Sequence, residues 1–373
     1  MKTVIDKDIP FIKGIFEPFS EVVYLRGDMI SANDVKDADA LIIRTRTECD
    51  GQLLKASKVR FIATATIGHD HIDTEWCSAN GIVSVNAPGC NSEAVKQYIT
   101  AGLLEAARET GTELSGRTLG IIGVGHVGSK VKTVAEALGM RVLLNDPPRE
   151  ESEGFGNYVD LYTLASESDF VTLHVPLSDG KYGTRLLADE NFFDNLKPGA
   201  VFINTSRGEV VDESALVSAV STGRVSTAIS DVWQNEPRLS SDLLNSVFIA
   251  TPHIAGYSLQ GKINAAMSVI ADVAAFFDMP VNVDPNTVRP KKSLINITKK
   301  SGIESEIRKI VRKTYDIAND SSALKKCPEH FESLRNGYVY RREFESFKIN
   351  VSDSDGKLYD ILKNLGFDFA RQL

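Results

Sequence analysis

Three short polar segments follow predicted β-strands in the middle of the chain. They are N-T-S-R-G-E-V-V-D (204–212), S-D-V-W-Q-N-E-P (230–237) and T-P-H-I-A-G-Y (251–257). Arg207 could hold a carboxylate through two N–H groups, and His253 could accept a hydroxyl proton. Glu236 could orient that imidazole and stabilise its charged form. Taken singly, they would be a surface ion pair, a structural histidine and a solvated glutamate. Together they predict oxidation of a hydroxy acid, with an anion-binding group, a base and a carboxylate partner for the base.

A glycine-rich turn, G-V-G-H-V-G, begins at Gly123, directly after a predicted strand and at the start of a predicted helix. Gly123 permits a tight turn, Gly125 lets the backbone approach a pyrophosphate, and Gly128 lets helix and strand pack closely. Asp146 ends the next predicted strand, 18 residues after Gly128. A carboxylate there accepts hydrogen bonds from ribose hydroxyls and repels a 2′-phosphate, which favours NAD over NADP. Arg149 is close enough to weaken that preference.

Short β-branched runs alternate with amphipathic stretches, which predicts an α/β fold with parallel sheets. The predicted strands are 2–6, 21–25, 39–43, 59–63, 82–85, 117–123, 141–146, 169–174, 200–205, 227–232, 247–251 and 346–351. The predicted helices are 10–19, 50–57, 91–110, 126–138, 258–277 and 356–365. Residues 280–290 read as a linker with three prolines, and 303–325 as helix before any strand of the C-terminal segment.

The composition is typical of a globular protein, with 42% hydrophobic and 25% charged residues. A net charge of −8 argues against general binding to nucleic acid or to an anionic membrane surface. The four cysteines, Cys49, Cys77, Cys90 and Cys327, are widely spaced and read as reduced thiols. Because the N-terminus lacks the apolar core of a signal peptide and no apolar run approaches membrane length, we expect a cytoplasmic protein. The H-D-H at 69–71 lacks a third ligand, so no metal is predicted.

The chain resembles the D-isomer-specific 2-hydroxyacid dehydrogenase family over residues 1 to about 285. The matching stretches are G-I-I-G-V-G-H-V-G, L-K-P-G-A-V-F-I-N-T-S-R-G-E-V-V-D, D-V-W-Q-N-E-P and T-P-H-I-A-G. The resemblance implies that Arg207, Glu236 and His253 are catalytic. It implies cofactor contacts at Gly123, Gly125, His126, Val127, Gly128, Asp146, Val175, Asp231 and Gly256. His174, at a strand end, would line the nucleotide cleft.

The resemblance also implies the domain organisation. A flavodoxin-like substrate domain would comprise 1–92 and 258–285, with a Rossmann NAD-binding domain (93–257) inserted and the active site in the cleft. A small C-terminal α/β domain, 286–373, would mediate a homodimer.

The similarity is closer to one member of the family, which oxidises a phosphorylated four-carbon hydroxy acid at C2 in the synthesis of pyridoxal 5′-phosphate. It rests on A-P-G-C-N (87–91), N-D-P-P-R (145–149), H-I-A-G-Y-S (253–258) and the extension beyond residue 290. Tyr257 stands where the family commonly has a smaller residue. The resemblance implies that Thr45, Thr66 and Tyr257 bind substrate, and Arg44 and Arg46 are candidates for its phosphate.

The stretch N-G-Y-V-Y-R-R-E-F-E-S-F (336–347) is the most distinctive part of the C-terminal segment. Its aromatic residues suit a buried interface. We expect Arg341 or Arg342 to reach a phosphate-binding cleft, of this chain or of a partner copy, with pairing to nearby glutamates as the alternative.

Two other functions remain open from the sequence. One is D-3-phosphoglycerate dehydrogenase or another D-2-hydroxyacid dehydrogenase; some of these carry a C-terminal β-α-β-β-α-β module, which a helix before any strand disfavours. The other is a non-catalytic NAD-sensing scaffold, which the combination of Arg207, Glu236 and His253 disfavours.

Overall fold

The computed structural model describes residues 1–154, 156–298, 301–351 and 356–370. These residues form two compact units. The first comprises 1–91 and 258–290, and the second comprises 92–257 and 291–373. The three-domain division expected from the sequence stays a prediction.

The elements are numbered in chain order. The strands are β1 (Lys2–Asp6), β2 (Glu21–Leu25), β3 (Ala40–Ile43), β4 (Phe61–Thr64), β5 (Val83–Val85), β6 (Thr118–Ile122), β7 (Arg141–Asn145), β8 (Phe170–Leu173), β9 (Ala200–Asn204), β10 (Val225–Ser230), β11 (Ile249–Ala250), β12 (Ser293–Ile297), β13 (Phe347–Val351) and β14 (Asp368–Phe369). The helices are α1 (Ala32–Val35), α2 (Gly51–Leu54), α3 (Thr74–Ala79), α4 (Ser92–Thr110), α5 (His126–Ala137), α6 (Pro147–Glu153), α7 (Leu161–Glu167), α8 (Glu190–Asp194), α9 (Glu213–Ser221), α10 (Ser241–Ser246), α11 (Leu259–Phe276), α12 (Ile303–Thr314), α13 (Ile317–Lys326), α14 (Phe331–Asn336) and α15 (Gly356–Leu365).

The first unit is built on a parallel sheet with the strand order β2-β1-β3-β4-β5. All residues of β3 and β4 are buried, as expected for strands covered on both faces. Helix α11 packs on this sheet through an apolar face that includes Ala266, Val269 and Val273. The strand order is that of flavodoxin-like folds, and this part of the predicted fold class is confirmed.

The second unit contains a parallel sheet with the order β11-β10-β9-β8-β6-β7. The strands β6, β8 and β9 are buried along their whole length. The order reverses between β6 and β8, and ligands of open α/β sheets bind beyond the carboxyl ends of the strands at such a point. The predicted Rossmann-type sheet is confirmed.

The C-terminal segment belongs to the second unit and shares its core. A second sheet in this unit is parallel, with the order β12-β13-β14. Helix α4 is buried along most of its length, because one apolar cluster joins it to α5 and to the C-terminal elements. Ile307, Ile310, Leu358 and Leu362 are C-terminal members of that cluster. The small C-terminal α/β region predicted from the sequence is therefore present.

Two predictions about local structure are wrong. Residues 10–19 form turns instead of a helix, because Pro10 and Pro18 interrupt the segment and Gly14 has a φ of +87°. In the C-terminal segment a strand, β12, precedes the helices α12 and α13. The described C-terminal sheet is nevertheless three-stranded and parallel, which differs from a β-α-β-β-α-β module.

Within the part of the chain that the structure describes, no helix combines the length and apolar character needed to cross a membrane.

Candidate active site

The glycine-rich turn joins β6 to α5 at the point where the strand order reverses. A Cβ at Gly123 would lie 2.7 Å from the carbonyl oxygen of His174, and a Cβ at Gly128 would lie 2.1 Å from the carbonyl oxygen of Gly123. Packing therefore requires glycine at both positions. A Cβ at Gly125 would meet none of the described residues within 4 Å. The protein's own packing gives no reason for glycine there, whereas a pyrophosphate approaching the backbone does, so the turn fits a dinucleotide.

Asp146 lies beside this turn, directly after β7. Its carboxylate accepts a hydrogen bond of 2.7 Å from the backbone N–H of Val124 and another of 3.1 Å from the N–H of Arg149. The Arg149 guanidinium donates to Glu153 at 2.6 Å and to the Val124 carbonyl. This arrangement fits a carboxylate at the ribose of NAD, with the nearby arginine already paired to an acid.

The other residues predicted for the cofactor lie at the same end of the sheet. His126 and Val127 begin α5 next to Gly125, and Val175 follows β8. Beside Val175, His174 contacts the hydroxyls of Thr172 at 3.1 Å and Thr205 at 3.4 Å. Burial lowers the pKa of His174 to about 3, so this partly exposed ring is neutral near pH 7.

His253 sits in a loop after β11 that is fixed by Asp231, the first residue after β10. His253 has a φ of +58°, and its backbone N–H donates to the Asp231 carbonyl at 2.8 Å. The buried Asp231 carboxylate accepts from the Thr251 hydroxyl at 2.6 Å and from the N–H groups of Ile254 and Ala255 at 2.8 Å each. Three donors to one carboxylate hold the histidine in a backbone conformation that non-glycine residues rarely adopt. Gly256 follows in the same loop.

Glu236 contacts the His253 ring. Its carboxylate oxygens lie 2.8 and 3.1 Å from His253 Nδ1, and the Trp233 N–H donates to it at 3.1 Å. Because a carboxylate only accepts, Nδ1 carries a proton, and Nε2 of the neutral ring is the basic nitrogen. Burial by itself raises the pKa of the Glu236 carboxyl, but the charge and hydrogen bond of His253 and the charge of Arg335 outweigh it and hold that pKa below its usual value. The pair can accept a proton at Nε2 and stabilise the resulting charge.

Arg207 lies in the loop after β9, which packs directly on the loop that carries Glu236. A Cβ at Gly208 would lie 2.0 Å from the Trp233 carbonyl carbon, so only glycine allows the two loops to meet this closely. The Asn204 side chain donates to the Arg207 carbonyl at 3.0 Å, and Arg207 Nη1 donates to the Ser206 carbonyl at 2.8 Å. The second unit thus places the loops of all three predicted catalytic residues at one end of one sheet.

The predicted substrate residues of the first unit follow two neighbouring strands. Arg44 and the exposed Thr45 come directly after β3, and Thr66 follows β4. Arg44 pairs with Asp6 at 2.9 Å and with Asp8 at 3.2 Å. Thr66 bonds to the Thr64 hydroxyl at 2.7 Å and to the Gly68 carbonyl at 2.8 Å. Their roles in substrate binding, and that of Arg46, stay predictions.

In the H-D-H stretch, the buried His71 ring contacts the Thr64 hydroxyl at 3.1 Å. Elsewhere in the described residues, ligand atoms of Cys327, Glu329 and His330 lie within 4.8 Å of one another.

Arg335 was not predicted from the sequence; it lies in α14 and contacts the predicted site residues Glu236 and Tyr257. Its Nη1 lies 3.6 Å from a Glu236 oxygen, and its Nε donates to the Tyr257 hydroxyl at 3.3 Å. Tyr257 also packs edge-to-face on Tyr338 and Tyr340, with ring centroids 6.2 Å apart in each case. The local pattern around Arg335 gives no signal of this role, since it reads as one polar residue on a short amphipathic helix.

The prediction that Arg341 reaches a phosphate is wrong. All five of its N–H donors bond within its own unit, to the Gln97 side chain and to four backbone carbonyls, and 7% of the residue is exposed. Arg342 donates to Ser293 at 2.8 Å and to the carbonyls of Lys291 and Ser346. Both arginines therefore support the local fold.

Comparison with protein families divides the chain into two matched segments. The NAD-binding domain of the D-isomer specific 2-hydroxyacid dehydrogenases matches residues 91–255. A domain of unknown function, DUF3410, matches residues 288–366.

Curated relatives match almost the whole chain. An erythronate-4-phosphate dehydrogenase of Bacteroides fragilis is 46% identical over 354 residues, which covers 94% of this chain and 100% of that protein. One of Escherichia coli O1:K1 / APEC is 38% identical over 373 residues, covering 99% and 98%.

Among solved structures, NAD+-bound 3-phosphoglycerate dehydrogenase of Entamoeba histolytica is 30% identical with a TM-score of 0.63 and covers 76% of this chain and 98% of that chain. The D-lactate dehydrogenase of Aquifex aeolicus, complexed with NAD and lactic acid, is 26% identical with a TM-score of 0.63, covering 74% and 96%.

Proposed function

This chain belongs to the erythronate-4-phosphate dehydrogenases of the D-isomer-specific 2-hydroxyacid dehydrogenase family, and from that premise we propose that it oxidises 4-phospho-D-erythronate with NAD. The hydroxyl at C2 becomes a ketone, which gives 3-hydroxy-2-oxo-4-phosphooxybutanoate in the synthesis of pyridoxal 5′-phosphate. The observation that carries the proposal is the 2.8 Å contact between His253 Nδ1 and Glu236, which leaves Nε2 as the basic nitrogen of the site.

The geometry of the glycine-rich turn supports the residues that would hold the cofactor. The turn of Gly123, Gly125 and Gly128 would bind the pyrophosphate, and Asp146 would accept hydrogen bonds from the ribose hydroxyls. When bound, NAD supplies the acceptor for the hydride that leaves C2.

The protein's own groups handle the carboxylate and the proton. Arg207 binds and orients the substrate carboxylate through its planar fork of donors. His253 Nε2 takes the proton of the C2 hydroxyl, and Glu236 stabilises the imidazolium that forms. Arg44, Thr45, Thr66 and Tyr257 bind the rest of the substrate in this proposal, since hydroxyl and guanidinium groups suit a polyol phosphate.

The test is the formation of NADH by the purified protein, with 4-phospho-D-erythronate and 3-phospho-D-glycerate compared side by side. A 2-oxo acid is added in a parallel assay to reoxidise cofactor that stays bound. We expect preference for the erythronate and a loss of roughly 10²-fold or more in turnover for His253→Ala, the contribution of a general base. His330→Ala is the matched control, because His330 is exposed and outside the site. Preference for the glycerate would refute the proposed substrate, and bound NAD without any turnover would indicate a non-catalytic scaffold.

We also propose that the protein is a cytoplasmic homodimer that associates through the C-terminal segment. None of the four cysteines, all of which the structure describes, forms a disulfide, which is typical of a reducing compartment. Val339 is 88% exposed, and Leu294, on the edge strand β12, is 55% exposed, so apolar side chains are available for an interface. The mass in solution, compared with the 40.8 kDa of one chain, tests the dimer.

A further inference from the structure

Helix α14 places a cation against the proposed base pair from a segment outside the matched NAD-binding domain. Arg335 is in the last turn of this helix, and its Nη1 lies 3.6 Å from Glu236 Oε2. That distance is an ion pair and is too long for a hydrogen bond. Both side chains are largely buried, with 17% of Arg335 and 19% of Glu236 exposed, so solvent screens their charges less than it would at the surface.

The position of Arg335 is fixed by the core of the second unit. Phe331, four residues earlier, is fully buried in the same apolar cluster as Trp233, and Leu334 packs against that cluster. The Trp233 N–H in turn donates to Glu236. One cluster therefore anchors both partners of the ion pair, and the Arg335 Nε donor to the Tyr257 hydroxyl adds a second contact.

We propose that Arg335 is a positioning residue that tunes the Glu236–His253 pair, and that supplying it is one function of the C-terminal segment matched as a domain of unknown function. The inference rests on the proposed function. A cation in contact with Glu236 keeps the carboxylate ionised and makes the pair as a whole bind protons less readily. The pair then stays able to accept the substrate proton at lower pH.

Other charged and titratable groups lie around the same pair. Asp231, in the loop after β10, interacts with His253, and Glu213, at the start of α9, interacts with Glu236. Tyr257, in the loop after β11, interacts with Arg335, and Asp320 of α13 interacts with Arg341 and Asp231. The acids favour protonation of the pair and the arginines oppose it. Removing the positive charge of Arg335, which contacts Glu236, should therefore make the Glu236–His253 pair bind a proton more readily.

The experiment measures kcat/KM for 4-phospho-D-erythronate against pH in wild type, Arg335→Met and Arg335→Lys. For Arg335→Met we expect the acid limb to move to higher pH by roughly one unit, the usual effect of losing one charge at this distance, and kcat near neutral pH to fall roughly tenfold. Arg335→Lys keeps the charge and should return the acid limb to its wild-type position. Arg312→Met is the matched control, because Arg312 is 48% exposed and pairs with Asp316 on the surface; its profile should be unchanged.

Tyr257→Phe separates the two contacts of Arg335. It removes the hydroxyl that accepts from Arg335 and keeps the charge of Arg335 beside Glu236. Because Tyr257 binds substrate in the proposed function, KM should rise while the acid limb stays in place.

Should Arg335→Met fail to fold, Arg335→Gln and Arg335→Lys are compared in the same way. An acid limb that coincides in the neutral and wild-type proteins would refute the proposal, whether or not kcat falls. If the wild type itself shows no turnover, the proposed function fails first, and the two failures are thereby distinguished.

Discussion

At the scale of the residue, the site holds two imidazoles whose surroundings give them opposite roles. The Nδ1 of His253 contacts the Glu236 carboxylate at 2.8 Å, which fixes the orientation of the ring. His174, at the end of β8, contacts the hydroxyls of Thr172 and Thr205, and burial keeps it neutral. The difference in environment fits the proposed role of His253 as a base, whereas His174 is a neutral polar group at the end of the sheet.

The depressed pKa of His174 predicts a measurable loss of stability in acid. The unfolded state binds a proton to this histidine near pH 6.5, whereas the folded state binds it only near pH 3. The unfolded state therefore gains protons first, and stability falls as the pH drops from about 6.5 toward 3. Between pH 7 and pH 5, the free energy of unfolding of the wild type should fall by up to about 2 kcal/mol more than that of His174→Asn. The difference is smaller to the extent that solvent reaches the ring. Urea unfolding at the two pH values measures this, with His330→Asn as an exposed control; equal losses in all three proteins would contradict it.

At the scale of the element, the turn between β6 and α5 separates glycines needed for folding from a glycine needed for the cofactor. Gly128→Ala should destabilise the protein by roughly 1–3 kcal/mol, since its Cβ would lie 2.1 Å from a backbone oxygen. Gly125 has a φ of −72° and open space around its Cα, so Gly125→Ala should leave the melting temperature almost unchanged. Its methyl group would stand where the pyrophosphate approaches, and NAD affinity should fall. Thermal denaturation and NAD titration of both variants test this, and normal NAD binding by Gly125→Ala would contradict the assignment.

The same elements show what the sequence could predict. The buried strands of both large sheets are continuous apolar runs, such as A-L-I-I in β3, and their positions were predicted within a few residues. The predicted helix over 10–19 failed because Ile9, Ile12 and Phe16 reach the core from turns, with a spacing that resembles a helical one. Strand β12 was missed because it lies at the edge of its sheet and exposes alternate residues such as Leu294, so it is not a continuous apolar run. Local pattern thus identifies elements that are buried on both sides better than elements at an edge.

At the scale of the whole molecule, the sequence pattern predicts which residues carry the chemistry but not which distant residues contact them. Glu236 and His253 could be paired because their residue types, their positions after strands and a family resemblance agree. Arg335 and Arg341 could not be assigned, since their partners are about 80 to 250 residues away in the sequence and only the folded core of the second unit brings them together. Through these two arginines the C-terminal segment contacts the loops that carry Glu236 and His253.

Arg341 gives the strongest test of that dependence. Its guanidinium bonds the carbonyls of Ile254, Ala255 and Tyr257, which follow His253, and also bonds Ala94 and Gln97 of α4. Arg341→Met leaves these buried acceptors without their donor, so the free energy of unfolding should fall by roughly 3 kcal/mol or more. Arg341→Lys keeps the charge but loses the planar fork of donors, so its free energy of unfolding should lie between those of the wild type and Arg341→Met. Arg26→Met, which breaks the exposed pair with Asp28, should change stability by less than about 1 kcal/mol. Because the freed carbonyls flank the His253 loop, Arg341→Met should also lose turnover below its melting temperature. Thermal denaturation and NADH formation measure the two effects, and a variant as stable and active as wild type would show that the loop holds its conformation without the C-terminal segment.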